Sequence, residues 1–431
     1  MLKIFLNNIF FGNIIRIIDA FIPKKNNYWG FSVHHIKSHQ FIENARAVFE
    51  EVKKDREIKK ILFTRDDFID FDIEDAQNLE IIKLVTPRGL LLFMQCKVLF
   101  VTHSLSMDYS FRYGKSNFSV IKLDLNKRCL VNLWHGIPLK RLYGAASNEV
   151  ARHLDRVKYR HYERKKYRGL ICSSDVDSYA MTTIFQPIKY KNVWITGLPR
   201  NDYLLIKDEN LPFYLQKQIS IIKQIKNGRK LIIYAPTYRQ TNVVTDSEYY
   251  QFSHQEIDKL KGLLKKHNAI LGFRMHYFRN NQTLFNMESY VDNELIFTMG
   301  HEIIPDIAPV IREADVIISD YSSVFIDALY VNKPVFAFTY DFDHYKTRQE
   351  GFLYNFHAIF PGTMTDEFSK LLDHINFELT NPSQIFTDKY KFSKSFFYNY
   401  NDVNNSSRVV KMVKQELETK IRNSCKKIIK F

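Results

Sequence analysis

Short apolar runs recur along the chain, and between them apolar residues return at helical spacing, a pattern that predicts alternating strands and helices. The strand-like runs are Trp29-Gly30-Phe31-Ser32-Val33, Ile61-Leu62-Phe63-Thr64, Ile81 to Val85, Val98-Leu99-Phe100-Val101, Cys129 to Leu133, Leu170 to Ser174 and Val193 to Thr196. Phe41 to Val52 reads as a helix. A second series follows at Leu231 to Tyr234, Ile270 to His276, Leu295 to Thr298, Val316 to Ser319 and Pro334 to Thr339. Such alternation implies parallel sheets covered by helices, the α/β class. The polar stretch Lys207 to Asn210 marks a hinge between the two series. The pattern divides the chain into an N-terminal segment over 1–27, an α/β domain over 28–206, a second over 207–390 and a basic helical segment over 391–431.

The first segment is apolar but broken. Leu2 to Ile22 carries Ile4, Phe5, Leu6, Ile9, Phe10, Ile14, Ile17, Ile18 and Phe21, interrupted by Lys3, Arg16, Asp19 and several asparagines. That makes a poor spanning helix; it suits a helix lying in a membrane interface or one packed on the protein's own core. A secretory signal would need an unbroken apolar region and a small-residue cleavage pattern.

Composition narrows the partners. Apolar residues form 45% and aromatic residues 15% of 431, enough for packed cores, and the length favours two of them. Cys96, Cys129, Cys172 and Cys425 are scattered, with neither a metal-ligand pair nor a disulfide pattern, which fits a reducing compartment. The net charge of +15 attracts anions. Without zinc-finger or aromatic RNA-recognition signatures, no nucleic acid is expected; an anionic substrate or membrane surface answers the charge instead. The basic run from Arg152 to Arg168 reads first as a solvated helical face and second as a polymer contact. The last section, from about Lys391 to the ending Lys426 to Phe431, either packs across both domains or touches a membrane surface.

Two fragments concentrate the chemistry. Trp134-His135-Gly136-Ile137-Pro138-Leu139-Lys140 follows an apolar run and is broken by Gly136 and Pro138, placing His135 on a loop leaving a strand. Ser319-Asp320-Tyr321-Ser322-Ser323 leaves another strand and opens a helical pattern. Ligands of open α/β sheets collect at the carboxyl ends of strands. A base, a cation and a phosphate cradle together point to phosphoryl transfer.

Five motifs in order carry a family resemblance: the His135 fragment, Gly197-Leu198-Pro199-Arg200-Asn201-Asp202, Ala235-Pro236-Thr237-Tyr238-Arg239, Arg274-Met275-His276-Tyr277 and Ser319 to Phe325. Together, over residues 28 to 365, the chain resembles CDP-glycerol glycerophosphotransferases, which make teichoic acids and related capsular polymers. The resemblance implies a GT-B architecture, two Rossmann-like domains facing a central cleft. It also implies transfer of glycerol phosphate from CDP-glycerol to an acceptor hydroxyl with release of CMP. The acceptor is then a glycerol-phosphate polymer or a glycan, and the site of action the inner face of a bacterial cell membrane, with the enzyme cytoplasmic and peripheral.

Residue roles follow beside that resemblance. Histidine is suited to accept a hydroxyl proton near neutral pH, so His135 is the candidate base, though a structural loop histidine is the ordinary alternative. Arg274 and His276 alternate onto one face of a strand end and are expected to address one diphosphate, with packing or a salt bridge as the alternative. Lys140, Thr237 and Arg239 are candidates for stabilising phosphate charge. Asp320 belongs to the same motif as Ser322 and Ser323, one of which is expected to cap a helix whose N–H groups meet the diphosphate. Asp327 either orients a ribose hydroxyl or pairs with a base nearby. Arg200-Asn201-Asp202 reads as a structural network, interdomain in one version. No cofactor or metal is required, although magnesium could accompany the nucleotide. The sequence departs from the family at Arg348-Gln349-Glu350-Gly351-Phe352 and at Asn355, which leaves ribitol open as the transferred polyol. The competing readings are a GT-B sugar transferase or epimerase and a basic polyanion- or membrane-binding protein.

Overall fold

The computed structural model describes residues 12–34, 36–67, 69–109, 122–145, 156–237, 249–275, 286–348, 351–382 and 386–428. They fall into two compact units, one from Met1–Gly136, Asp155–Tyr203 and Asp402–Phe431, the other from Ile137–Leu154 and Leu204–Asn401. The first holds β1 (Lys25–Ser32), β2 (Lys59–Thr64), β3 (Leu79–Lys83), β4 (Cys96–Val101), β5 (Cys129–Asn132), β6 (Tyr167–Cys172) and β7 (Val193–Ile195). Their order is β3-β2-β1-β4-β5-β6-β7, with every pair parallel. The second holds β8 (Lys230–Ala235), β9 (Ala269–Phe273), β10 (Ile296–Thr298), β11 (Val316–Ser319), β12 (Val335–Phe338) and β13 (Thr363–Thr365). Here the order is β10-β9-β8-β11-β12-β13, again all parallel. These are two Rossmann-like α/β units.

The central strands are buried along nearly their whole length, which is why they read as unbroken apolar runs. In each sheet the strand order turns around once, between β1 and β4 and between β8 and β11. Connections diverge there and open a crevice at the carboxyl ends of the strands.

The segment after Lys391 is shared between the units. The helix Asp388–Phe397 belongs to the second, whereas Asn405–Ile428 returns to the first, burying Val409, Val410 and Val413 and packing on the helix Glu43–Val52 and on β5 and β6. Its first turn is tied down by Asp202, whose carboxylate accepts from the backbone N–H groups of Asn405 (2.9 Å) and Ser406 (2.8 Å). Gly197 is required beside it: its φ is +76°, and a Cβ there would meet Asn405 Oδ1 at 1.9 Å. The division between units falls at Tyr203 and Leu204, ahead of the polar stretch read as a hinge. Asp208 of that stretch is held within the second unit by Lys223 Nζ at 2.6 Å and Arg312 Nη2 at 2.5 Å.

Near the N-terminus, Gly12–Phe21 is an α-helix with Asp19 turned inward. Asp19 is fully buried and accepts from Arg128 Nη1 (2.8 Å), Arg128 Nη2 (2.5 Å), Lys24 Nζ (2.9 Å) and the Asp124 N–H (2.7 Å). Ile14, Ile17, Ile18 and Phe21 face outward, Ile17 60% and Phe21 84% exposed. Residues 1–11 of the expected amphipathic segment lie outside the described residues. Among the described residues no helix is long and apolar enough to cross a membrane.

Burial by itself would raise the Asp19 carboxyl, but the bonds and charge of Arg128, with Lys24, outweigh it and hold it below its ordinary value. Its contribution to stability is complete above the unfolded value near 3.8 and is lost as pH falls through the lower folded value. Asp19→Ala leaves Arg128 buried without its carboxylate and should cost the first unit about 3–5 kcal/mol. Denaturant unfolding checks this, and the variant's midpoint should also fall less than the parent's as the solution is acidified below pH 4.

Candidate active site

β5 leaves its sheet through a strained turn. Trp134 has φ +47°, a region that a bulky side chain occupies only when its surroundings force it. The Asn132 side chain supplies part of that force, accepting from the Trp134 N–H (2.8 Å) and donating to the His103 carbonyl (3.2 Å) and Tyr167 Oη (3.1 Å). From the helix Glu43–Val52, Asn44 Nδ2 donates to the carbonyls of Leu133 (3.0 Å) and Trp134 (3.2 Å). Asn44 Oδ1 in turn accepts from the Arg200 N–H at 3.0 Å. The Gly197 to Asp202 motif therefore braces the turn from within the first unit, rather than as an interdomain network. The Trp134 ring stands edge-on to Phe185 at 4.8 Å and lies 3.9 Å from the His135 ring. His135 is left half-buried at the carboxyl edge of β5.

The turn brings three histidines together. His34 follows β1 and His103 follows β4, the two strands at the switch point, and the His103 ring stacks on His135 with centroids 4.5 Å apart and planes inclined by 19°. His34 meets His103 edge-on at 6.5 Å. Asp108 is buried below them, its Oδ2 accepting from the backbone N–H groups of Thr102 (2.7 Å) and His103 (2.9 Å), its Oδ1 3.8 Å from His103 Nδ1. Burial pushes the Asp108 carboxyl up to about 6 against these bonds, and burial pushes His34 down to about 4. Buried Glu163, pushed up to about 7 by desolvation, accepts from the Leu105 N–H (2.8 Å) and Tyr167 Oη (2.7 Å). It so links the helix Arg156–Arg164 to the Asp108 turn. Of these three histidines, sequence reasoning singled out only His135. His34 and His103 offered the same signal, a histidine just past the end of an apolar run.

In the second unit the switch point is closed by a clamp. Asp320, fully buried past β11, accepts at Oδ1 from the Thr237 N–H (2.8 Å), from the Thr237 hydroxyl and from the Tyr321 N–H. Ser319 Oγ donates to the Ala235 carbonyl at 2.9 Å, so the ends of β8 and β11 are tied twice. Arg274 is buried after β9, with Nη1 donating to the carbonyls of Met299 and Ile304 (both 2.8 Å) and Nη2 3.2 Å from His301 Nδ1. Its guanidinium organises the loop after β10. Neither Ser322 nor Ser323 caps the helix Val324–Tyr330 in the expected way: Ser323 has helical backbone angles and makes no cap bond, and Ser322 Oγ is 3.5 Å from the Val324 N–H. Asp327 is buried on that helix. Lys140, assigned to the second unit, forms an antiparallel bridge with Phe352 and sets its ammonium 5.4 Å from the Tyr345 ring centre. His276 and Arg239 lie outside the described residues. Among the described residues, no group of three or more His, Cys, Asp or Glu side chains gathers to hold a metal ion.

Comparison with known proteins agrees with this frame. The chain is 28% identical over 255 residues to a teichoic acid poly(glycerol phosphate) polymerase of Bacillus spizizenii, covering 57% of this chain and 60% of that one. It is 27% identical over 286 residues to the teichoic acid ribitol-phosphate polymerase TarK of Staphylococcus aureus, covering 65% and 51%. The chain thus spans about half the length of such relatives. Its fold matches the wall teichoic acid polymerase TagF with a TM-score of 0.72 and 20% identity, over 95% of this chain and 94% of that one. Residues 17–415 match the CDP-glycerol:poly(glycerophosphate) glycerophosphotransferase family, and the chain belongs to that family.

Proposed function

We propose that the protein transfers glycerol phosphate from CDP-glycerol to an acceptor hydroxyl on a growing surface polymer, with His135 as general base. The observation that carries this reading is the strained turn at Trp134, which sets an imidazole at the carboxyl edge of the sheet, where ligands of open α/β sheets collect. The acceptor oxygen gives its proton to His135 and bonds to the phosphorus next to glycerol. The bond from that phosphorus to the CMP oxygen breaks, and CMP leaves with the electron pair. In-line transfer of this kind depends on positioning and on fixed positive charge. His276, Arg239 and Lys140 are assigned to the diphosphate from their motifs. Arg274, Thr237 and Asp320 are assigned the shaping of the donor side, since their polar atoms are engaged in holding strand ends and loops. Ser322, Ser323 and Asp327 complete that side of the reading.

Ribitol is the second reading, favoured by the comparable identity to the ribitol-phosphate polymerase. Incubation with CDP-glycerol, CDP-ribitol and UDP-sugars, following CMP or UDP release, separates the donors. The proposal expects CMP from CDP-glycerol with transfer to a glycerol-phosphate oligomer; release only from a UDP-sugar would overturn it. His135→Ala should lower turnover about a hundredfold or more with the fold retained. Asn44→Leu, which leaves His135 in place but frees the turn, should lower kcat while donor KM changes little. Wild-type kcat in that variant would detach the turn from the chemistry.

A place at the inner face of the membrane is the reading that the first unit's N-terminal helix supports. Its outward Ile14, Ile17, Ile18 and Phe21, beside Arg16 and Lys25, suit the boundary of an anionic membrane. Ile17→Ser with Phe21→Ser leaves the Asp19–Arg128 pair intact and should reduce binding to anionic vesicles several-fold without changing thermal stability. Cosedimentation equal to that of the parent would remove this helix as the contact.

A further inference from the structure

The basic run that reads as a solvated face holds a buried polar pair, Glu163 near the end of the helix Arg156–Arg164 and Tyr167 at the start of β6. The reaction steps use neither. We infer that Glu163 is a positioning residue: through Tyr167 and Asn132 it fixes which end of the Asn132 amide meets the Trp134 N–H, and so helps to place His135. Its kinetic consequence rests on the reading of His135 as the base.

The direction of each hydrogen bond supplies the argument. A backbone N–H can only donate. The N–H of Leu105, first residue of the short helix Leu105–Asp108, lies 2.8 Å from Glu163 Oε1, so that oxygen is an acceptor and any proton on the carboxyl sits on its other oxygen. Tyr167 meets the same Oε1 at 2.7 Å and must give it the hydroxyl hydrogen. With that hydrogen committed, the phenol oxygen accepts, and the group that faces it at 3.1 Å is the Asn132 side chain. The end of Asn132 turned toward Tyr167 is therefore its Nδ2. The second Nδ2 hydrogen goes to the His103 carbonyl at 3.2 Å, which leaves Oδ1 toward the Trp134 N–H, 2.8 Å away.

A reversed amide would set donor against donor at Trp134. Glu163, Tyr167 and Asn132 are all buried, where a mismatched bond is costly because water does not repair it. The two sides of the turn have separate anchors. Asn44, held by the Arg200 N–H, serves the carbonyls of Leu133 and Trp134, whereas the Trp134 N–H relies on Asn132, held by the relay from Glu163. Parallel pairing of β5 with β6, which sets Leu130 beside Tyr167, brings the phenol to its place in that relay. Because Trp134 sits at φ +47°, slackening its N–H lets the strained turn relax, and His135 is the next residue.

The test uses the full chain labelled with 15N-tryptophan, whose three tryptophan amides are those of Trp29, Trp134 and Trp194. Trp29 in β1 and Trp194 in β7 report general loosening. In Tyr167→Phe, which deletes the hydroxyl and keeps the ring, the Trp134 amide should exchange with solvent several-fold faster than in the parent while the other two keep their rates. Glu163→Leu should do the same, and Tyr167→Phe guards against a Glu163→Leu chain that fails to fold. Glu163→Gln, whose Oε1 still accepts from Leu105 and Tyr167, should restore the parent rate. Turnover of CDP-glycerol should follow the same order, kcat falling roughly two- to tenfold in Tyr167→Phe and Glu163→Leu, the worth of one hydrogen bond, and staying within about twofold in Glu163→Gln, with donor KM near that of the parent throughout. Parent exchange at Trp134 in Tyr167→Phe overturns the inference. So does equal acceleration of all three amides, the mark of a merely structural role, or a Glu163→Gln chain as impaired as Glu163→Leu. Absence of transfer from CDP-glycerol in the parent would count against the proposed function alone, since the amide rates read the relay without turnover.

Discussion

The first unit is organised around one unfavourable backbone conformation. Trp134 in the left-handed region costs on the order of 1–3 kcal/mol, and a cost of that size persists only if several independent contacts enforce it. Asn132 enforces it from the strand itself, Asn44 from a neighbouring helix, and Arg200 from a segment more than sixty residues further on, through its hydrogen bond to Asn44. The result is an imidazole whose direction is set by the fold rather than by its own rotamer freedom. Preorganisation of this kind is what a proton-accepting group needs, because a base that must find its geometry during reaction loses most of its advantage.

Buried carboxylates do related work throughout the chain. Asp19 fastens the N-terminal helix through Arg128, Asp202 fastens the last helix through two backbone N–H groups, and Asp320 ties β8 to β11 through Thr237. Each accepts several hydrogen bonds, which offsets the desolvation of its charge. Arg274, Thr237 and Asp320 are likewise engaged with the protein's own backbone or with one another, where they hold strand ends and loops in place.

Much of the fold was legible in the sequence. Strands buried on both faces are unbroken apolar runs, and every expected one forms; β13 escaped notice because Thr363-Met364-Thr365 is a short, half-exposed edge with no such run. The unit boundary was harder, since it depends on which contacts the chain makes after folding: Asp208 is charged and turn-like yet is locked by Lys223 and Arg312, and Asn405–Ile428 crosses back to the first sheet. At the site, His135 was readable as a residue on a loop leaving a strand. Its partners were not, because His103 and Asp108 become neighbours only when parallel pairing places β4 beside β5. Serine capping at Ser322 and Ser323 was a sound local rule that the helical angles of Ser323 set aside.

The proposed reaction turns on whether the His135 imidazole takes the acceptor's proton. Chemical rescue measures this directly: purified His135→Ala is assayed for CMP release from CDP-glycerol with a glycerol-phosphate oligomer while free imidazole and substituted imidazoles are added at fixed ionic strength. If His135 is the base, turnover returns with imidazole concentration and follows the fraction of each imidazole present as free base, with donor binding unchanged throughout. A variant that binds CDP-glycerol as the parent does, yet gains no turnover from any of these bases, would contradict it.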